Sequence, residues 1–211
     1  WVNGPTPRPT VWFQLYRKTS VMAEAELVPG AEIKELADGT LSVTWTGLET
    51  TDIDGNVYTF SVKEVDADGN DFTPENYTKS GEGTLAITNT YVIPTDGEAT
   101  ATKTWVNGPT PRPTVWFKLY RQVGATGTPE AVPGAAIQEL ADGTLSVTWN
   151  NVEKTDIGGN PYIFTVKEVD ADGNDFEPAN YSKTEDGLTV TNKYVIPTDG
   201  EATATKTWVN G

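Results

Sequence analysis

The sequence predicts an all-β protein built from tandem β-sandwiches, and three observations carry that expectation. The first is internal self-similarity: Trp1 to Thr10 returns unchanged from Trp105 to Thr114, and Val62 to Gly69 returns from Val166 to Gly173. The second is patterning. Runs of Val, Ile, Thr, Phe, Tyr and Trp alternate with polar residues and stop at Asp-Gly, Gly-Asn, Asn-Gly or Pro, as short strands between tight turns do. The third is that no stretch keeps a helical period. Strands are expected near 100–106, 113–121, 143–149, 161–169 and 187–195, with shorter ones between.

The repeat sets the domain plan. Leu36 to Leu41 returns from Leu140 to Leu145, and Tyr91 to Glu98 returns from Tyr194 to Glu201. The spacing between copies is 104 and falls to 103 through a one-residue deletion near Glu185. Ala99 to Gly108 matches Ala202 to Gly211. The expected plan is a first repeat over 1–97 lacking most of its first strand, a complete repeat over 98–200, and the first strand of a third over 201–211. A period of about a hundred residues is too long for a solenoid unit and suits beads on a string. The Ile-Pro-Thr-Asp-Gly joints are short and carry proline, so they should be stiff.

Composition excludes several classes. The 211 residues include 36% hydrophobic residues, with seven Trp, eight Tyr and six Phe, which suits packed cores rather than disorder. A formal charge of -15 repels phosphate backbones and anionic membranes, so neither nucleic acid nor membrane is an expected partner. No apolar run reaches the length of a membrane span and no signal peptide is present, so the chain reads as an internal segment. Cys and His are absent, which removes disulfides, thiol nucleophiles, the common zinc sites and imidazole triads. With no open constellation of acid, base and nucleophile, neither a turnover enzyme nor a cofactor is expected.

Three polar residues fall on the wrong face of their strands. Residues two apart in a strand share a face. Glu168 follows Tyr162, Phe164 and Val166 in phase; Asn192 sits among Leu188, Val190 and Tyr194; Lys103 lies between Ala101 and Trp105. In the first repeat Glu64 follows Tyr58, Phe60 and Val62, and Asn89 follows Leu85 and Ile87. An isolated buried charge is costly, so such groups pair or neutralise. One reading is a buried Lys–Glu ion pair with a hydrogen-bonded Asn. The other is chemical: desolvation lowers a lysine pKa and raises a glutamate pKa, leaving a neutral amine that attacks the asparagine carbonyl beside a protonated acid. Ammonia then leaves and a Lys–Asn amide remains, formed once per domain.

Lys-Thr-Trp at 103–105, Phe-Thr-Val-Lys-Glu-Val at 164–169 and Val-Thr-Asn-Lys-Tyr at 190–194 resemble the B-type repeats of the Cna family, found in Gram-positive surface adhesins and pilins. The resemblance covers the whole repeat and matches in order, spacing and residue type. It implies an inverse immunoglobulin-like sandwich whose first and last strands are joined by an isopeptide bond. It also implies an extracellular, cell-wall-anchored stalk projecting a separate binding domain. Carried onto this chain, Lys103 is the amine, Asn192 the acceptor and Glu168 the catalytic acid. Glu64 and Asn89 take the latter two roles in the first repeat, whose lysine would lie before Trp1. Lys206 would begin the next repeat. Neighbouring repeats are the expected partners; one intramolecular bond is expected, and Glu64 and Asn89 stay unpaired unless a strand like Ala202–Gly211 of another molecule docks there and Lys206 bonds to Asn89.

Other signals are weaker. Asp66 to Asp71, repeated at Asp170 to Asp175, departs from the EF-hand pattern in its Gly position and lacks the closing Glu, so an Asp/Asn turn is expected and no metal. Asp52 to Asn56 is weaker still, since Gly158 replaces Asp54 in its copy. Asn76-Tyr77-Thr78 and Asn180-Tyr181-Ser182 match a glycosylation pattern by chance. The Ile-Pro-Thr-Asp-Gly joints resemble a sortase signal only loosely, and no hydrophobic tail follows them. The alternative to a stalk is a ligand-binding sandwich for a matrix protein or carbohydrate, using Trp116, Tyr120 and the Pro-rich loop. Trp12 and Trp116 fall opposite the faces of Val11/Phe13 and Val115/Phe117.

Overall fold

The computed structural model describes residues 1–209, and every regular element among them is a β-strand. The chain divides into two compact units, one of Trp1–Thr95 with Glu153–Tyr162 and the other of Asp96–Val152 with Ile163 onward.

The first unit contains β1 (Val11–Lys18), β2 (Glu26–Leu27), β3 (Lys34–Leu36), β4 (Thr59–Val65), β5 (Tyr77–Ser80) and β6 (Thr88–Tyr91). Strand β1 pairs antiparallel with β2, β3 and β4, while β5 and β6 form a hairpin. Leu15, Val28 and Val62 form the core, with Phe13, Trp45, Phe60 and Ile87 packed against it.

The second unit contains β7 (Gly97–Val106), β8 (Val115–Val123), β9 (Glu130–Ala131), β10 (Gln138–Leu140), β11 (Ser146–Val152), all but the first residue of β12 (Tyr162–Val169), β13 (Tyr181–Asp186) and β14 (Thr189–Tyr194). One sheet is built around β8, which pairs with β9, β10 and β12; the other runs β11-β7-β14-β13. The period-2 alternation is sharp. Gly97, Ala99, Ala101 and Lys103 of β7 are buried while the residues between them are exposed. Ala99 and Ala101 share one core with Phe117, Leu119, Trp149, Val166 and Val190. Small residues on one sheet facing Phe and Trp on the other are how two pleated faces fill the space between them.

The expected strands appear in place, with β11 displaced toward the C-terminus at 146–152. The first and last strands of the second unit, β7 and β14, are neighbours and run parallel, with Val190 opposite Lys103 and Asn192 opposite Trp105.

Context decides one contrast. Leu145 to Trp149 lies largely in β11, hydrogen-bonded to β7, whereas the identical pentapeptide Leu41 to Trp45 belongs to no strand. Strand propensity is realised only against a partner strand. Leu85, expected inside with Ile87, is 65% exposed, and it lines a 290 Å³ groove with Phe13, Trp45 and Phe60. Residues 201–209, expected to begin a third repeat, are exposed and outside any strand, since an unpaired strand leaves its backbone groups to water. The remaining two residues of that expectation, 210 and 211, lie outside the described residues.

Candidate functional site: a buried lysine, glutamate and asparagine

The alternation of β7, β12 and β14 delivers three polar side chains to one place inside the second unit. The Nζ of Lys103 donates to Oε2 of Glu168 at 2.5 Å, and Nδ2 of Asn192 donates to Oε1 of the same carboxylate at 2.8 Å. Glu168 thus bridges the other two. The side chains of Lys103 and Glu168 are closed to solvent, and Asn192 is 0% exposed. Because Val190 is opposite Lys103 and strand residues two apart share a face, Asn192 emerges on the same face one step along the parallel ladder.

Burial is the main force on Lys103, pushing its pKa below the ordinary 10.5; the hydrogen bond and charge of Glu168 oppose the drop, and the nearby charge of Lys183 adds to it. The ammonium also lies 4.4 Å from the centre of the Trp105 ring. Trp105 packs edge-on against Tyr181, and Tyr181 against Tyr194, so aromatic rings cover this end of the site. The Oδ1 of Asn192 is buried with no hydrogen-bond partner. An unmet buried carbonyl is costly, and a protonated acid beside it would satisfy it.

The first unit holds part of the same arrangement. Nδ2 of Asn89 donates to Oε2 of Glu64 at 2.7 Å. Oε1 of Glu64 and Oδ1 of Asn89 are buried without hydrogen-bond partners. Both residues line a 70 Å³ cavity with Trp1, Phe13, Leu36 and Ile87. Burial raises the Glu64 pKa above the ordinary 4.5, and the hydrogen bond from Asn89 offsets part of that. Lys206 is exposed, its Nζ 3.5 Å from the centre of the Trp208 ring.

Two residues were not expected at the site. Nζ of Lys183 lies 3.3 Å from the Glu168 carbonyl oxygen, and Oε1 of Glu185 accepts the Glu168 N–H at 2.8 Å. A signal for them existed: Lys183 and Glu185 follow Tyr181 at spacing two, which puts all three on one face of β13. Which backbone they reach depends on how the two sheets pack, and alternation does not give that.

The remaining candidates have simpler accounts. Trp116 and Tyr120 are half-buried, with the Lys167 ammonium 5.4 Å from the centre of the Tyr120 ring. The Pro-rich loop is tied down by Arg112, whose N–H donates to Asp142 at 2.7 Å and whose guanidinium donates to the Asn107 carbonyl at 2.6 Å. In the Asp-rich turn, Oδ1 of Asp170 accepts the N–H groups of Asp172 and Asn174, each at 2.9 Å, so that carboxylate is engaged by its own turn. Among the described residues no group of three or more Asp or Glu is placed to hold a metal ion.

The family model of the Cna protein B-type domain matches residues 3–90 and 99–193. The chain belongs to the Cna B-type domain family. A collagen adhesin of Staphylococcus aureus is 34% identical over 212 residues, covering 99% of this chain and 16% of the adhesin, so the chain spans a small part of that relative. Among solved structures, a single B repeat unit of the S. aureus collagen-binding surface protein is 21% identical, with 92% of this chain and 95% of that one covered and a TM-score of 0.37. The minor pilin of Streptococcus agalactiae is 15% identical, with 94% and 88% covered and a TM-score of 0.30. The all-β class expected from the repeat and its patterning is observed, and the Cna B-type family that the motifs resembled is the one whose model matches.

Proposed function

We propose that these Cna B-type units are structural stalk modules of a bacterial surface adhesin, exposed outside the cell and anchored to its wall, with no turnover activity. The second unit is closed by an amide between Lys103 and Asn192. The observation that carries this reading is that one buried carboxylate, Glu168, touches both the amine and the carboxamide.

The chemistry follows from those contacts. A proton passes from the Lys103 ammonium to Glu168 Oε2, leaving a neutral amine and a neutral acid in a site closed to water. Nζ attacks Cγ of Asn192 while the acid donates toward Oδ1, the carbonyl oxygen that otherwise has no partner. The new C–N bond forms, the bond from Cγ to Nδ2 breaks, and Nδ2 departs as ammonia with a proton taken from the amine through Glu168. The ammonia removes the remaining proton as ammonium and Glu168 returns to carboxylate.

The product suits a tether. Tension enters such a module at its first strand and leaves at its last, and β7 and β14 are those strands. A covalent link between them carries force past the core. Lys103 and Asn192 are 89 positions apart (192 − 103). By analogy with a disulfide, closing a loop of that size stabilises by roughly 4–5 kcal/mol. The similarity to a protein named collagen adhesin supports the surface setting.

Intact-mass spectrometry tests the reading. The purified chain should weigh less than its sequence by one ammonia, and Lys103→Ala or Asn192→Ala should restore the full mass. A wild-type chain at full mass leaves the triad a buried ion pair and sinks the bond.

A further inference from the structure

Strand β12 lies at the edge of its sheet, paired with β8 on one side. On its other side the backbone groups are met by the turn between β13 and β14, by side chains of β13 and by the loop that follows β12. The Val166 N–H donates to the Gly187 carbonyl at 2.9 Å, and the Glu168 N–H donates to Oε1 of Glu185 at 2.8 Å. The Glu168 carbonyl accepts from the Phe176 N–H at 3.3 Å and from Nζ of Lys183 at 3.3 Å. Lys183 is itself held by Asp175 at 2.6 Å and Glu185 at 3.2 Å, with its side chain 11% exposed. Both backbone polar groups of Glu168 are thus gripped by one ion-paired cluster.

The first unit differs by one residue of turn. There Lys79 lies 3.3 Å from the Glu64 carbonyl and is paired with Asp71 at 2.7 Å and Glu82 at 2.8 Å. Glu82 is three positions after its lysine, whereas Glu185 is two positions after Lys183. The shorter turn puts the acid on the same face of β13 as the lysine and against the amide of Glu168.

We propose that Lys183 and Glu185 are positioning residues that clamp the backbone of Glu168 and so hold its carboxylate between Lys103 and Asn192 for bond formation. The proposal rests on the bond-forming reading above. A carboxylate on an edge strand has one ladder to fix it; anchoring its N–H and carbonyl from the facing sheet removes the pivot about which it would swing. Small displacements of a reacting group are expensive in rate. The clamp also acts through charge. Lys103 is faced by Glu168 from β12, by Lys183 and Glu185 from β13, by Asn192 from β14 and by Trp105 on its own strand. Among these, Lys183 favours the neutral amine and Glu185 the ammonium.

The test times bond formation. Chain made in a short cell-free pulse is stopped in urea, then refolded at chosen pH while intact mass is followed, with near-ultraviolet circular dichroism confirming a native core. Lys183→Met and Glu185→Gln should slow ammonia loss by on the order of ten- to a hundredfold. Lys183→Arg, which keeps charge and donors, should recover most of the rate. The pH midpoint should move up in Lys183→Met and down in Glu185→Gln, opposite shifts that loss of packing alone would not produce. Folded Lys183→Met and Glu185→Gln chains reacting at the wild-type rate, with midpoints unmoved, overturn the clamp and leave the bond standing. A folded wild-type chain that never loses ammonia overturns the bond-forming reading and the clamp with it.

Discussion

The Nζ of Lys103 lies 2.5 Å from Oε2 of Glu168, with both side chains sealed from solvent. A lysine and a glutamate in contact in so dry a place are held either as an ion pair or as a neutral amine beside a neutral acid. The distinction has consequences that can be measured.

Glu168→Gln keeps the shape of the carboxyl and a hydrogen-bonding group, but it cannot take the lysine proton. The fold should form and ammonia loss should slow on the order of a hundredfold or more. Refolding kinetics followed by intact mass check this. A Gln variant reacting as fast as wild type would remove Glu168 from the proton path.

Glu64 has the opposite linkage from an ordinary surface acid. Its folded pKa is raised above the ordinary 4.5 by burial, so the folded first unit binds a proton that the unfolded chain releases. The stability this contributes is fully present below 4.5 and is lost as pH rises through the folded value. Glu64→Gln should remove that loss, so the melting temperature of the first unit should fall less between pH 4 and pH 7 in the variant than in wild type (values on the scale of ordinary carboxylate titration). Equal slopes would mean that Glu64 ionises without penalty.

Gly108 has φ +96, and a Cβ there would strike the Tyr181 hydroxyl and sit 3.0 Å from Nη1 of Arg112. Gly108→Ala should cost about 1–3 kcal/mol. It should also loosen the edge-on packing of Tyr181 on Trp105, whose ring centres are 5.0 Å apart. Denaturant unfolding with tryptophan fluorescence reports both. An unchanged midpoint would show that the turn relaxes freely.

Pulling on the two ends of the second unit separates a welded domain from a merely stable one. With Lys103 joined to Asn192, the chain between them should contribute no extension at any force that spares covalent bonds. Lys103→Ala should release about 300 Å of contour length, seen as an added step in single-molecule force traces. A wild-type unit that extends as far as the variant would end the mechanical account.

Much of this was legible because strands alternate. Lys103, Glu168 and Asn192 each fall in phase with apolar neighbours, and the folded unit buries all three at one point. The repeat likewise exposed Glu64 and Asn89. What alternation does not give is which strands become neighbours. The parallel pairing of β7 with β14, and the reach of Lys183 and Glu185 to the backbone of β12, arise from sheet order and from packing between sheets. Leu41 to Trp45 shows the same limit: the pentapeptide that lies largely in β11 in one copy belongs to no strand in the other, because a strand is a property of a pair.

Peptide mapping by tandem mass spectrometry tests the central claim most directly. Digestion of the folded, denatured-then-cleaved chain should yield one branched species in which the peptide containing Lys103 is joined through its side chain to the peptide containing Asn192, short of one ammonia. Recovery of both peptides in full as separate linear species, with the Asn192 amide intact, would contradict the account.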